Sequence, residues 1–533
     1  MGSEDLFNYT SGRWLYNEEL RRAERRILFN VEQLKRVAAE AVGRQLGDVS
    51  EIKKLAEGGF NRTFEVVMCD GLQVIARLPY PLTVPKKYAI ASEVATMDFV
   101  RRHDVPAPRV FKYSTTNDNE VGTEYIIMEK MHGQETGDVW YSMTDDQRIQ
   151  LIREVVKLEA RLFSIKLPAS GSIYYSKDLD DGMEWTAIEG DKMDGLCIGP
   201  DVHYKWWYNE RSKLQIDRCP YRTSEEVLLA GAKRELSWAE QYAHPRFPYE
   251  PLYREIYDFK KVSPRAHIDN LKSYLKIAKY LAPPQESYLN HHTLRHPDLQ
   301  PNNILISDSF SITGLIDWQH CSILPLFLQA KLPKHFQNYG DQESEDLIRP
   351  QLPKDMDQLD PDEKEAAQEL YRRRHVHFHY ISFSKELNPD HINACRHPEI
   401  VLKQRLFEHS SIPWEGNNVM LKADLIKASK RWAYLLKEST STKSLPPCPL
   451  VYEQNEIDKC LEIQTEQELC DRDMEISRMG IGVDEEGWVV PEMYETAKEK
   501  SKIFKEEVLM AAEPKDRAMI EKHWPFADRD EDE

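Results

Sequence analysis

The spacing of apolar residues changes along the chain, and each change predicts a different kind of element. In residues 1–46 apolar side chains recur at helical spacing, which predicts a helical extension with one apolar face. The positions that form this face are Leu20, Ile27, Leu28, Val31 and Leu34. From Glu51 onwards, short apolar runs alternate with glycine-containing turns, a pattern typical of antiparallel strands. The predicted strands are residues 52–56, 63–68, 72–78 and 125–128, and a helix is predicted over 87–102.

Helical spacing dominates the rest of the chain. Residues 145–162 predict a long helix, whereas 171–284 are rich in Trp, Tyr and Pro and predict an irregular insertion. A strand pair is predicted within 303–317. The fold class is therefore α+β, with a β-rich N-terminal lobe and a mainly helical C-terminal lobe that carries a helical extension. The predicted regions are 1–46, 47–130, 131–345 with an insertion at about 171–290, 346–515, and an acidic tail at 516–533 that we expect to be solvated and disordered.

Charge and composition narrow the function classes. The formal net charge of −19 disfavours nucleic-acid binding, which needs a basic surface. No apolar run approaches the ~20 residues that span a bilayer, so no integral membrane segment is predicted. Eight cysteines without a CxxC pair predict reduced thiols inside a cell. An acidic surface would suit a cationic substrate, but it serves solubility more often.

The strongest chemical signal is an H-x-D-x-x-x-x-N run. It reads His296-Pro297-Asp298-Leu299-Gln300-Pro301-Asn302-Asn303. In this pattern the Asp accepts a proton from a substrate hydroxyl and the Asn holds Mg²⁺. A turn and a strand ending at Asp317 follow. Because the two ends of an antiparallel hairpin lie side by side, Asn303 and Asp317 are predicted to share one Mg²⁺, a hard cation that prefers oxygen ligands.

Each of these residues also has an ordinary structural explanation. Asp298 could cap a turn or a helix, Asn303 could be a turn residue, and Asp317 could be a polar residue at a strand end. The three together, at these spacings and with a hairpin pattern between them, favour a kinase-like catalytic centre.

The block from Asp298 to Asp317 resembles the aminoglycoside phosphotransferase and choline-kinase-like superfamily. Ile316-Asp317-Trp318 stands where protein kinases carry Asp-Phe-Gly, and no Ala-Pro-Glu run follows. The resemblance narrows to a fungal subfamily that includes proteins linked to altered inheritance of mitochondria. The matching segments are Tyr9-Thr10-Ser11-Gly12-Arg13-Trp14-Leu15, Glu57-Gly58-Gly59-Phe60-Asn61, Asp317-Trp318-Gln319-His320 and Pro325-Leu326-Phe327-Leu328-Gln329. The resemblance implies a protein-kinase-like two-lobe fold.

The same resemblance implies a nucleotide site in the N-terminal lobe. Gly58 and Gly59 would let backbone amides approach phosphates closely, although an ordinary hairpin turn would also use them. Val74-Ile75-Ala76-Arg77 resembles the V-A-I-K strand of kinases, with Arg77 in place of the phosphate-binding Lys. The candidate ion-pair partner of Arg77 is Glu93, which could instead be a solvated helix residue. Further candidates for nucleotide binding are Asn61 in the glycine turn and Glu129 and Met131 in a segment that resembles the inter-lobe hinge.

The function predicted from these residues is ATP- and Mg²⁺-dependent phosphorylation of a hydroxyl on a small molecule. Asp298 is the predicted general base, Asn303 and Asp317 are the predicted Mg²⁺ ligands, and Arg77 is the predicted phosphate clamp. The alternative is a catalytically weak or inactive pseudokinase that acts in interactions or mitochondrial maintenance, which the missing Lys and the short glycine turn favour. The resemblance implies a mitochondrial location, with the cytoplasm as the alternative. The sequence identifies neither the acceptor nor a protein partner.

Overall fold

The computed structural model describes residues 3–189, 195–218, 220–436 and 445–531. Its N-terminal lobe is built on a five-stranded antiparallel sheet with the strand order β2-β3-β4-β6-β5. The elements up to the end of this sheet are β1 (Arg13–Trp14), α1 (Glu18–Glu24), α2 (Val31–Ala41), β2 (Val49–Glu57), β3 (Asn61–Met68), β4 (Gln73–Pro79), α3 (Lys86–Arg102), β5 (Val110–Ser114) and β6 (Tyr125–Glu129). All four strands predicted for this region are confirmed, and so is the helix.

The middle of the chain forms the helical lobe and a small hairpin. Its elements are β7 (Gln134–Glu135), α4 (Thr136–Val139), α5 (Asp145–Ser164), β8 (Ser172–Tyr175), β9 (Thr186–Ala187), β10 (Leu196–Gly199), α6 (Ser224–Gln241), α7 (Tyr253–Ile256), α8 (Arg265–Leu281), β11 (His292–Leu294), β12 (Ile304–Ile306), β13 (Ile312–Leu315), β14 (Ile323–Pro325) and α9 (Leu326–Gln329). The long helix α5 begins where Thr144 and Gln147 form a capping box. Both α5 and the β12–β13 hairpin confirm their predictions.

The remaining elements lie C-terminal to this lobe. They are α10 (Gln342–Glu345), α11 (Pro361–Leu387), α12 (Pro389–Cys395), α13 (Ile400–Ser411), α14 (Val419–Lys430), α15 (Trp432–Leu436), α16 (Gln454–Ile481), β15 (Trp488–Val489), α17 (Tyr494–Ala511) and α18 (Arg517–Lys522). Helix α11 packs onto the helical lobe, and β15 pairs with β1 of the N-terminal extension. Val376 and Tyr380 of α11 belong to the same apolar core as Ile75 of β4 and Leu151 of α5. Among the described residues, no helix combines the length and the apolarity that a bilayer crossing requires.

Three sequence-based expectations are wrong. The N-terminal extension does not present one apolar face, because its two helices are separated at residues 25–30 and Leu20 and Leu28 are exposed. The segment predicted to be an irregular insertion contains the long helices α6 and α8, whose buried faces pack against each other. Trp206 and Trp207 of that segment are buried in the same core.

The acidic tail is the third expectation that the structure overturns. Trp524 and Phe526 are buried in an apolar cluster with Tyr16. Beyond them, the Asp528 carboxylate accepts a hydrogen bond from the backbone N–H of Asn17 at 2.5 Å. The tail is therefore packed against the N-terminal extension as far as residue 531, and residues 532–533 lie outside the described part of the chain. Apolar residues just before the acidic run supply the burial that charge counting overlooks.

Candidate active site

The predicted catalytic loop lies between β11 and β12, and hydrogen bonds of His296 hold it in place. The His296 Nε2–H donates to the carbonyl oxygen of Ile316 at 2.9 Å, and its Nδ1 accepts from the Asp298 N–H at 3.2 Å. These partners fix the neutral tautomer, because a carbonyl oxygen can only accept. Burial lowers the pKa of His296, which also favours the neutral ring. His296 therefore ties the backbone before Asp317 to the backbone of Asp298.

The Asp298 carboxylate is oriented by amide groups of its own loop. Asp298 Oδ2 accepts a hydrogen bond from Asn303 Nδ2 at 3.0 Å and another from the Gln300 amide. Asn303 Nδ2 also donates to the Asp298 carbonyl oxygen at 2.8 Å. Because the amide nitrogen of Asn303 is used in this way, its side-chain oxygen is the atom that a cation would use.

The hairpin brings Asn303 and Asp317 to one end, as the sequence predicts. Ile304 pairs with Leu315, and the Ile316 N–H donates to the Asn303 carbonyl oxygen at 3.0 Å. Asp317 then leaves the strand with a φ of 67°. This left-handed conformation is uncommon outside glycine but is best tolerated by Asp and Asn, and it is often found at functional sites. Asn303 and Asp317 line the same cavity.

Arg77 of β4 contacts two carboxylates, one on α3 of its own lobe and one at the end of the β12–β13 hairpin of the other lobe. Its Nη1 binds Glu93 of α3, and its Nη2 lies 2.6 Å from Asp317 Oδ1. Glu93 is buried. Burial alone would raise the pKa of Asp317, but the Arg77 guanidinium outweighs it and holds that pKa below its usual range. The predicted partners Arg77 and Glu93 are thus in contact, and the predicted metal ligand Asp317 belongs to the same network.

The glycine turn between β2 and β3 lies over this network. The Gly58 N–H donates to the Asn61 carbonyl oxygen at 3.0 Å. A Cβ atom at Gly58 would meet only that oxygen, at 3.7 Å, and one at Gly59 would meet nothing within 4 Å. The packing of the protein itself therefore does not require glycine here, whereas close approach of a ligand would. The Phe60 ring lies 5.0 Å from the ring of His320, so the turn contacts the helical lobe.

Asn61 extends the Arg77 network. With its amide oriented so that the oxygen faces the guanidinium, that oxygen accepts from Arg77 Nη2 at 2.8 Å and from Nε at 3.1 Å. Arg77 Nη2 also lies 3.3 Å from Gln319 Oε1. Asn61 therefore orients Arg77.

One cavity of about 890 Å³ is lined by the three predicted catalytic residues and both glycines of the turn. Its lining includes Gly58, Gly59, Asp298, Asn303 and Asp317. Three further predicted residues do not line the cavity. Arg77 contacts the lining residue Asp317, and both Asn61 and Glu93 contact Arg77.

Glu129 and Met131 are not among the described residues that line the cavity. They lie where the chain passes from the sheet to the β12–β13 hairpin. The Glu129 N–H donates to the Arg109 carbonyl oxygen at 2.8 Å. A Cβ atom on Gly314 would lie 3.2 Å from Met131 Cε, which places the methionine against the hairpin. Their role in nucleotide binding stays a prediction.

Sequence patterns did not predict the contacts that anchor Glu57, the residue directly before the glycine turn. The Glu57 carboxylate is fully buried and pairs with Arg62 at 2.9 Å. Glu57 Oε2 also accepts hydrogen bonds from the backbone N–H groups of Thr10 at 2.8 Å and Ser11 at 2.7 Å, and from the Ser11 hydroxyl at 2.7 Å. The segment 9–15 stood out in the sequence only as part of the family resemblance. The structure shows that it anchors the last residue of β2.

Comparison with known proteins identifies the family. A sequence model of the phosphotransferase enzyme family matches residues 51–327. The chain belongs to this family. The match covers the glycine turn, the catalytic loop and Asp317. The β-rich N-terminal lobe and the mainly helical C-terminal lobe form a protein-kinase-like two-lobe fold.

Fungal proteins are among the relatives of this phosphotransferase family member. A subtelomeric hrmA-associated cluster protein of Aspergillus fumigatus is 31% identical over 512 residues, which cover 90% of this chain and 97% of that protein. Altered inheritance of mitochondria protein 9 of Saccharomyces cerevisiae, named as mitochondrial, is 23% identical over 530 residues and covers 86% and 83% of the two chains.

Two solved structures illustrate what the chain is similar to. The ethanolamine kinase of Plasmodium vivax is 13% identical and covers 79% of this chain and 82% of its own, with a TM-score of 0.32. The streptomycin–ATP–APH(2")-IIa ternary complex is 10% identical and covers 77% and 99%, with a TM-score of 0.33.

Proposed function

We propose that this protein transfers the γ-phosphoryl group of ATP to a hydroxyl of a small molecule. The observation that carries the proposal is the convergence of a proton acceptor, two oxygen ligands and a glycine turn on one cavity. Asp298, Asn303 and Asp317 come from two separate stretches of chain, and the hairpin register and His296 bring them together. A binding protein would have no use for the proton acceptor.

Each residue has a defined role in the proposed reaction. The acceptor oxygen forms a bond to the γ-phosphorus, the bond from that phosphorus to the ADP oxygen breaks, and the hydroxyl proton passes to Asp298. The Asn303 oxygen and the Asp317 carboxylate would hold Mg²⁺, which neutralises phosphate charge when bound. Gly58 and Gly59 leave space for phosphate oxygens beside the backbone.

One observation favours the pseudokinase alternative. Arg77 already binds Glu93, Asp317 and Asn61, so it has few donors left for a phosphate. If these contacts persist with nucleotide present, Arg77 fastens the two lobes together and does not bind ATP.

The proposal is tested by thermal unfolding with Mg-ATP. Bound ligand stabilises the folded state by mass action, so Mg-ATP should raise the Tm of the wild type. Asp317→Ala should remove most of this shift. Asp308→Ala is the matched control, because Asp308 is exposed at the opposite end of the same hairpin. If Mg-ATP leaves the Tm of folded wild-type protein unchanged, the chain has only the fold of a phosphotransferase.

For location we propose the mitochondrion, since several relatives are named as mitochondrial proteins. Imaging of a C-terminally tagged protein tests this. A diffuse cytoplasmic signal would contradict it.

A further inference from the structure

The cavity that contains Asp298 extends away from the glycine turn to a second wall. Three elements supply this wall: the segment 203–205, the residues after α9, and the helix α13. Lys331 and Lys334 from the segment after α9 lie in it, as do Phe407 and Glu408 from α13. Lys331, Lys334, Phe407 and Glu408 lie outside the range 51–327 matched by the family model, whereas the segment 203–205 lies within it.

Pairing of charges leaves this wall basic. Arg295 is neutralised by Glu159 at 2.9 Å, and Lys331 pairs with Glu408. Lys205 and Lys334 also line the cavity, and neither forms an ion pair with a carboxylate in the described part of the chain.

Lys205 is the more informative of the two lysines. Its Nζ lies 3.4 Å from the Ser411 hydroxyl and 5.1 Å from the centre of the Phe407 ring. The Asp201 carboxylate accepts hydrogen bonds at Oδ1 from the His203 N–H at 2.9 Å and the Ser322 hydroxyl at 2.6 Å, and within the described part of the chain it forms no ion pair with Lys205. A half-buried ammonium group without a carboxylate partner is costly unless an anion completes the site.

We infer that the phosphate acceptor is an anion, a small hydroxy compound whose phosphate or carboxylate group binds Lys205 and Lys334 while its hydroxyl faces Asp298. This inference rests on the proposed function and names its substrate class. The net charge of −19 belongs to the whole chain and is attributed to solubility, whereas this wall of the cavity is basic.

Binding of two panels of compounds tests the inference. The anionic panel contains glycerol 3-phosphate and other sugar phosphates in one arm and glycerate and other hydroxy acids in the other, which separates phosphate from carboxylate. The second panel contains choline, ethanolamine and kanamycin. Thermal shift is measured with Mg²⁺ and a non-hydrolysable ATP analogue present. At least one anionic compound should raise the Tm, and the cationic compounds should not.

Lysine variants test whether the anion binds at this wall of the cavity. Lys205→Met should weaken anion affinity by about tenfold or more, the scale of one lost charge-assisted hydrogen bond. It should leave the shift given by the ATP analogue unchanged. Lys260→Ala is the control, because Lys260 is an exposed lysine in the same region of the chain.

The outcomes separate this inference from the proposed function. A shift only with cationic compounds, an unchanged anion affinity in Lys205→Met, or no shift with any anion overturns the anionic acceptor while nucleotide binding stands. Absence of the ATP-analogue shift overturns the proposed function instead.

Discussion

Arg77 Nη2 lies 2.6 Å from Asp317 Oδ1, so the predicted phosphate-binding cation is bonded to a predicted Mg²⁺ ligand. The same guanidinium binds Glu93 of α3. Arg77 thus connects β4, α3 and the end of the β12–β13 hairpin, which together form the boundary between the lobes. A planar guanidinium can reach two carboxylates from separate elements, whereas a Lys ammonium acts as a point charge.

The first prediction concerns the charge of Arg77. Arg77→Lys should retain more phosphotransferase activity than Arg77→Met, because a positive charge next to the phosphates is the property that the reaction needs. Activity is measured as ATP-dependent phosphorylation of small molecules in a metabolite extract. Equal activity in the two variants would show that Arg77 does not act on phosphate.

The stability of these variants needs a separate control. Arg77→Met leaves the buried Glu93 without its cation and should destabilise the protein by roughly 3–5 kcal/mol, the usual cost of breaking a buried ion pair. Adding Glu93→Gln removes the unpaired charge, so the double variant should recover part of that loss. Activity that stays low in the stabilised double variant indicates a lost functional charge.

The second prediction isolates the proton acceptor. Asp298→Asn keeps the shape of the side chain and one oxygen for the Asn303 hydrogen bond, so Mg-ATP affinity should stay close to that of the wild type. Turnover in the metabolite extract should fall by roughly 10²-fold or more, the scale of a lost general base. Full turnover in Asp298→Asn would rule out the proposed role of Asp298 as the proton acceptor.

The sequence predicts those parts of the site that lie close together in the chain. The hairpin from Asn303 to Asp317 follows from strand spacing, and the strands β2 to β4 follow from apolar runs between turns. The contact between Arg77 and Glu93 required the family resemblance, because periodicity does not identify the partner of a charged residue. Contacts across long separations were not predictable in this way.

Two such contacts show the physical reason. Glu57 binds Ser11, 46 residues away, and Arg21 binds Glu531, 510 residues away. Propensity and periodicity detect neither pair, because both contacts form only when regions far apart in the sequence pack together in the folded protein. The environment of Lys205 could not be predicted for the same reason. Only the fold shows that its Nζ lies beside the Ser411 hydroxyl and that no carboxylate among the described residues pairs with it.

The third prediction follows from the anchor behind the glycine turn. Ser11→Ala removes the hydroxyl that donates to Glu57 at 2.7 Å and should lower the free energy of unfolding by about 1 kcal/mol. Because Glu57 ends the strand that leads to Gly58, the KM for ATP should rise more than kcat falls. Ser50→Ala is the control, since Ser50 lies on the same strand as Glu57 but away from the turn, and its hydroxyl donates to the Val67 carbonyl oxygen on the neighbouring strand β3. Equal KM values in the two variants would contradict a role for the anchor in nucleotide binding.

The last prediction concerns pH and Lys205. Burial lowers the pKa of Lys205 to about 8, and the positive charge of Arg234 acts in the same direction. Asp201 and Glu408 oppose this shift, and Lys331 adds to it. The ammonium form binds an anion, so affinity for the anionic acceptor should be fully present well below pH 8 and should decline as the pH rises through about 8.

Lys205→Arg provides the decisive comparison, because a guanidinium stays protonated across this range. If the decline comes from Lys205, it should disappear in Lys205→Arg even where the affinity at neutral pH differs from that of the wild type. Acceptor affinity is measured by titration at several pH values with the ATP analogue bound. Lys334 lies in the same wall but is exposed, and Lys334→Arg should keep the alkaline decline of the wild type. An alkaline decline that survives in Lys205→Arg would assign the titration to another group and remove Lys205 from the anion site.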